Sequence, residues 1–172
     1  VAALFPLMTL EHFSGTTYMM SIVEIAWGIG MLIGGAIIGY KRLNNYKVVL
    51  INLTYLALGL TFVFSGILPP TGFAWFAGVT AIGGISMTLY SGSFTVIVQT
   101  MVEPAALGRV FSLYGSITLL PSMIGLLATG FIADSIGIAN AFIISGTGIA
   151  LMGISAFMIP PIRQMVRSEM KP

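Results

Sequence analysis

The stretch YMMSIVEIAWGIGMLIGGAIIGYKR, residues 18–42, decides the class of fold. Before its closing Lys41-Arg42 pair it holds one charged residue, Glu24. About 20 apolar residues in a helix cross the ~30 Å hydrocarbon core of a bilayer, so this stretch predicts a membrane span. The rest of the chain has the same character: 7% of its residues are charged, 57% are hydrophobic and the mean hydropathy is +1.02. Soluble domains carry about 25% charged residues, and a chain this poor in charge is read as an integral membrane protein. Cysteine is absent, which excludes disulfides, thiolate metal sites and a cysteine nucleophile. The opening VAALFPLMTL has neither an initiator methionine nor a basic n-region, so no signal peptide is read there.

Apolar runs long enough to span occupy residues 17–40, 48–68, 73–98, 110–132 and 139–159. The connections KRLNNYK, PPTG, QTMVEPAALGR and ADSIGI are short and most are rich in turn and helix-stop residues. The first ten residues are apolar too but reach only about 15 Å as a helix, half of a bilayer core. The expectation is therefore an all-α, polytopic transmembrane helix bundle that opens on the end of one span and adds five more. Residues 1–160 form this six-helix unit, and residues 161–172 form a basic tail.

The basic residues alternate from side to side. Lys41, Arg42 and Lys47 share one connection, Arg109 lies two connections later, and Arg163, Arg167 and Lys171 lie in the tail, whereas the intervening connections contain no Lys or Arg. The positive-inside rule makes the basic side cytoplasmic and puts the C-terminus there. In the tail Ile162, Met165, Val166 and Met170 fall roughly on one helical face, which predicts a segment along the inner leaflet; a solvated tail that merely fixes orientation is the alternative.

On the first full span Glu24, Gly28, Met31 and Gly35 fall on one helical face. Small residues mark helix contacts in membranes, so this face is expected to meet other helices and to carry Glu24 into the bundle. An ionised Glu24 facing lipid, about 10 Å below the outer helix end, would cost several kcal/mol. Polar and small residues form two further stripes, Gly83, Ser86, Tyr90 and Ser93 on the fourth helix of the unit and Tyr114, Thr118, Ser122 and Gly125 on the fifth. They are candidate cavity surfaces, with ordinary helix packing as the competing reading. Pro121 inside the fifth helix removes a backbone hydrogen bond and predicts a bend. A repeat of LIGGAIIGY, residues 32–40, in LLATGFIAD, residues 126–134, fits two three-helix units of inverted topology.

The string EHFSGTTYMMSIVEIAWGIGMLIGGAIIG with its basic loop, QTMVEPAALGRVFSLYGSI and GLLATGFIADSIG together resemble the C-terminal half of a major facilitator superfamily transporter. Within that superfamily they are most similar to the bacterial drug-efflux branch that includes the macrolide and enterobactin exporters. The resemblance covers essentially the whole chain, and its most specific part is P-x-x-x-G-R-V-F-S at residues 104–112. It implies the end of the seventh helix and helices eight to twelve of a twelve-helix fold in the bacterial cytoplasmic membrane, with the N-terminal six-helix half lying outside this chain. It also implies that Gly108 and Arg109 lie near the contact between halves that breaks and re-forms during transport. Two departures stand out. The loop GYKRLNNYK lacks the aspartate and the longer basic run that many relatives have there, and Glu24 occupies a place where relatives commonly have an uncharged residue.

The function expected is proton-coupled efflux of amphiphilic small molecules by alternating access, with Glu24, Ser86, Tyr90, Tyr114, Thr118 and Ser122 along the substrate or proton pathway. Gly28, Gly35, Gly108, Arg109 and Pro121 are expected at moving helix contacts. An uptake permease of the same fold and a non-transporting membrane scaffold are the alternatives. No HExxH, GxSxG or P-loop occurs, and the single histidine, His12, has no evident partner but Glu11, so no enzyme, metal, cofactor or nucleic-acid partner is expected. The partners expected are a small-molecule substrate, protons, the bilayer and the N-terminal half.

Overall fold

The computed structural model describes residues 4–40 and 47–158. Among them every regular element is helical. Helix α1 (Leu4–Leu7) continues into a π-helical turn, Met8–His12. Four long helices follow: α2 (Thr17–Tyr40), α3 (Lys47–Ile67), α4 (Phe73–Met101) and α5 (Leu107–Ile136). Helix α6 (Ile138–Met158) closes the described part. Five of these helices are long and apolar enough to cross a membrane. The loop with Lys41 and Arg42, and the basic tail with Arg163, Arg167 and Lys171, lie outside the described residues.

Helix ends follow local chemistry. Pro104 forbids helical backbone at Glu103, which is extended at φ −60°, ψ 138°, so α4 stops and a short 3₁₀ turn, Pro104–Ala106, leads into α5. Helix α5 therefore begins three residues earlier than its apolar run and, at 30 residues, is about 45 Å long. It ends at Gly137, whose φ of 87° is open to glycine alone without strain and whose N–H donates to the Ala133 carbonyl at 2.9 Å. The reversal before α2 uses Ser14 at φ 49°, with the Gly15 N–H donating to the Thr9 carbonyl at 2.9 Å.

Two interfaces made of small residues hold the bundle, because lipid offers no hydrophobic drive and backbones associate by close approach. Between α2 and α4, Gly30 lies against the Ala81 carbonyl, Gly34 against Ile85 and Gly84 against the Trp27 carbonyl, leaving no room for a Cβ at any of the three glycines. Between α3 and α6, a Cβ on Gly59 would lie 2.5 Å from the Ala150 nitrogen, and one on Gly66 would lie 2.6 Å from the Ala139 carbonyl.

An aromatic core fills the end of the bundle nearest α1. Phe5 lies 5.1 Å from Phe62, 5.6 Å from Phe142, 5.9 Å from Phe76 and 5.3 Å from Trp27, so α1 is anchored to four of the long helices. Phe62 and Phe142 stack at 5.2 Å, and Met8, Phe76 and Phe142 have no exposed surface.

The expected glycine face of α2 is corrected by this packing. Gly28 and Gly35 have nothing from another helix near their Cβ positions, while Gly30 and Gly34 are buried. Helix α2 carries two glycine stripes on nearly opposite sides, and the one that packs within this chain is the stripe facing Ala81, Gly84 and Ile85 of α4.

Candidate functional site

The most unusual surface belongs to α5. From Ser112 to Ala128 every residue is exposed, and Ala133 is the buried residue of the whole helix. The helix is held at two places. Near its start the Tyr114 ring lies 4.8 Å from Phe94 of α4, and near its end Ala133 joins the core beside Ile138 of α6. The intervening stretch carries Thr118, Pro121, Ser122 and Gly125. Proline lacks an N–H, so Pro121 leaves the Ile117 carbonyl without its helical donor. Around this gap the hydroxyls bond to the helix itself: Thr118 donates to the carbonyls of Tyr114 at 2.9 Å and Gly115 at 3.1 Å, and Ser122 to Leu119 at 2.7 Å. Their lone pairs stay open to the surface, so α5 offers acceptors without an orphaned donor.

Helix α4 adds aromatic rings beside Tyr114. Tyr90 stacks on Phe94 at 6.2 Å and meets Tyr55 of α3 edge-on at 5.0 Å, and its phenol faces those of both Tyr55 and Tyr114. Three helices are thus joined by Tyr55, Tyr90, Phe94 and Tyr114. Sequence reasoning singled out Tyr90 and Tyr114 but missed Tyr55 and Phe94; Phe94 stands four residues after Tyr90, one helical turn away.

Ser86 departs from its expected role. It is 5% exposed and its hydroxyl donates to the Ile82 carbonyl at 3.0 Å, so it is interior packing and does not front an open surface. Gly83 beside it lies under the Trp27 ring, and Ser93 is likewise buried. The α4 stripe is divided: its Gly83, Ser86 and Ser93 positions are internal, and Tyr90 reaches toward α5.

Glu24 is exposed on α2, on the side turned away from the α4 contact, in line with the open Gly28 and Gly35. Gly108 and Arg109 are exposed in the first turn of α5. A cation at a helix N-terminus opposes the helix dipole, so the charge of Arg109 does not favour the helix there. His12, for which Glu11 was the sole evident partner, bonds across the fold through Nε2 to the Leu68 carbonyl at 2.8 Å.

Among the described residues, a stretch of α5 with Tyr114, Thr118 and Ser122 and the α2 face with Glu24 stay uncovered while the remainder is tightly packed. The sequence profile of the Major Facilitator Superfamily matches residues 1–171. The chain belongs to the major facilitator superfamily. It is a multi-pass membrane protein. Among curated relatives, Macrolide efflux protein A of Streptococcus pyogenes is 41% identical over 165 residues, covering 96% of this chain and 41% of that protein. Macrolide efflux protein A of Enterococcus faecalis is 42% identical over 126 residues, covering 73% of this chain and 39% of that protein. An uncharacterized MFS-type transporter of Bacillus subtilis is 32% identical over 133 residues, covering 74% of this chain and 31% of that protein. The chain thus spans about two fifths of the length of the macrolide efflux relatives. No solved structure matches it significantly.

Proposed function

We propose that this chain is the C-terminal half of a twelve-helix exporter of amphiphilic drugs of the macrolide class, and that it works by alternating access against an N-terminal half. The observation that carries the reading is the uncovered stretch of α5 from Ser112 to Ala128, which sets Tyr114, Thr118 and Ser122 among exposed apolar residues. A membrane helix with Tyr114, Thr118 and Ser122 outward is well placed beside a water-filled cavity or another helix and poorly placed against lipid. The similarity to the two macrolide efflux proteins, over segments covering 96% and 73% of this chain, supports the direction and the substrate class.

Coupling falls to Glu24. Lipid disfavours an ionised carboxylate at this depth, so its uncovered face is one that the other half or a cavity covers. A carboxylate there loads a proton from one side and releases it on the other as the halves rock. Gly28 and Gly35, with nothing near their Cβ positions among the described residues, leave the same face smooth for a moving neighbour.

The test uses the complete transporter that contains this chain, expressed in cells with their own drug pumps deleted. Erythromycin accumulation falls on expression, and Ser122→Leu, which crowds the α5 face, restores accumulation at an unchanged amount of protein in the membrane. Higher accumulation on expression would mean uptake, and no change would leave a non-transporting scaffold.

A further inference from the structure

On the side of α3 turned away from Phe62 and Tyr55, a groove runs between α3 and α4. Its deep part, about 450 Å³ in volume, is walled by Leu60, Phe64, Val79 and Ile82, with Ala57 at its far end. Phe64 also borders a second hollow of about 450 Å³ that ends at Pro69, Thr71 and Trp75. The two adjoin at Phe64, and the lining passes from aliphatic and aromatic residues with one threonine, Thr61, to an indole, a hydroxyl and Pro69 at the mouth.

The dimensions select the occupant. From Ala57 to Leu68 the groove follows eleven helical steps, about 16 Å, which is the depth of one leaflet of a ~30 Å hydrocarbon core. A docked helix would need a seam across both leaflets, whereas one acyl chain needs this length. Trp75, 72% exposed at the mouth, stands where tryptophans gather at headgroup level. The floor fits hydrocarbon as well: Thr61 donates to the Leu58 carbonyl at 2.6 Å and presents no free donor. On α3 the exposed Leu60 and Phe64 lie opposite the buried Phe62, so this surface faces away from the core.

We propose that the α3/α4 groove is a lipid site that retains one acyl chain of a phospholipid whose headgroup lies beside Trp75 and Thr71. The site rests on the multi-pass membrane placement of the chain and is independent of what the transporter exports.

The complete transporter is reconstituted in phosphatidylethanolamine and phosphatidylglycerol vesicles containing phosphatidylethanolamine with a diazirine midway along one acyl chain. After irradiation, adducts are mapped by mass spectrometry. The groove residues Leu60, Phe64 and Ile82 carry several-fold more adduct than Ile144 and Leu151, which are comparably exposed on α6. Ala57→Trp fills the deep end and removes the adducts at Val79 and Ile82 while those on α6 stay. Equal labelling of groove and α6 means ordinary surrounding lipid and overturns the site, as does a groove that stays unlabelled because protein covers it. The comparison within the unmutated protein decides the matter even where Ala57→Trp fails to fold, and erythromycin transport in the same vesicles is scored separately.

Discussion

His12 and Leu68, 56 residues apart in sequence, are joined by a 2.8 Å hydrogen bond from the imidazole Nε2 to the backbone carbonyl. The carbonyl can only accept, so the proton resides on Nε2, in the neutral as in the charged ring. The bond closes the π-helical turn Met8–His12 onto the end of α3, where the Gly72 N–H, four residues on, donates to the Pro69 carbonyl at 2.8 Å instead of to Leu68. It ties the end of the first helix to the α3–α4 connection.

Replacing His12 by Ala removes this tie and leaves a part-buried carbonyl unmet, at a cost of about 1–2 kcal/mol. The expected outcome is a lower midpoint of thermal unfolding for the complete transporter in detergent. Glutamine reaches the same carbonyl with its amide and recovers part of the loss. An unchanged midpoint for His12→Ala would show that the bond contributes nothing.

The two glycine stripes of α2 make a paired prediction. Gly30→Ala pushes a methyl group into the Ala81 backbone and costs about 1–3 kcal/mol as overpacking, with a lower yield of folded protein. Gly28→Ala meets nothing among the described residues, and its effect on unfolding stays within about 1 kcal/mol. Fluorescence-detected size exclusion after graded heating separates the two variants, and equal losses would contradict the α2–α4 contact.

Topology is tested with single cysteines in the naturally cysteine-free chain, placed in a cysteine-free version of the complete transporter. Thr71→Cys reacts with an impermeant maleimide added outside intact cells, and Asn45→Cys reacts only after the cells are opened. Labelling of both from outside would reverse the orientation read from the basic residues.

Glu24→Gln keeps the shape and much of the hydrogen bonding of the carboxyl group and abolishes its charge. Efflux by this variant is expected to fall by about tenfold or more, the scale of a lost coupling interaction of 1.4 kcal/mol, and to lose its dependence on external pH. Parental efflux with parental pH dependence would make Glu24 structural.

The spans were legible because hydrocarbon thickness is a local rule, but their ends were less so: the apolar run 110–132 falls short of α5 at both ends, which Pro104 and Gly137 set. What could not be read was the choice between equivalent faces. Gly28/Gly35 and Gly30/Gly34 look alike on a helical wheel, and the decision lies in Ala81, Gly84 and Ile85 on a helix some 50 residues away in sequence. Ser86 was misplaced for the same reason, since a serine that bonds to its own helix looks like one that lines a cavity. The partner of His12 is a main-chain carbonyl, which has no signature in the sequence at all.

Helix α5, fixed at Tyr114 and again at Ala133, about five turns apart, is in mechanical terms a beam supported at both ends. Its weakest section is mid-span, at the missing Pro121 to Ile117 bond. A load on the uncovered stretch is therefore met first by this mid-span section, and the α3–α6 frame lies outside its path.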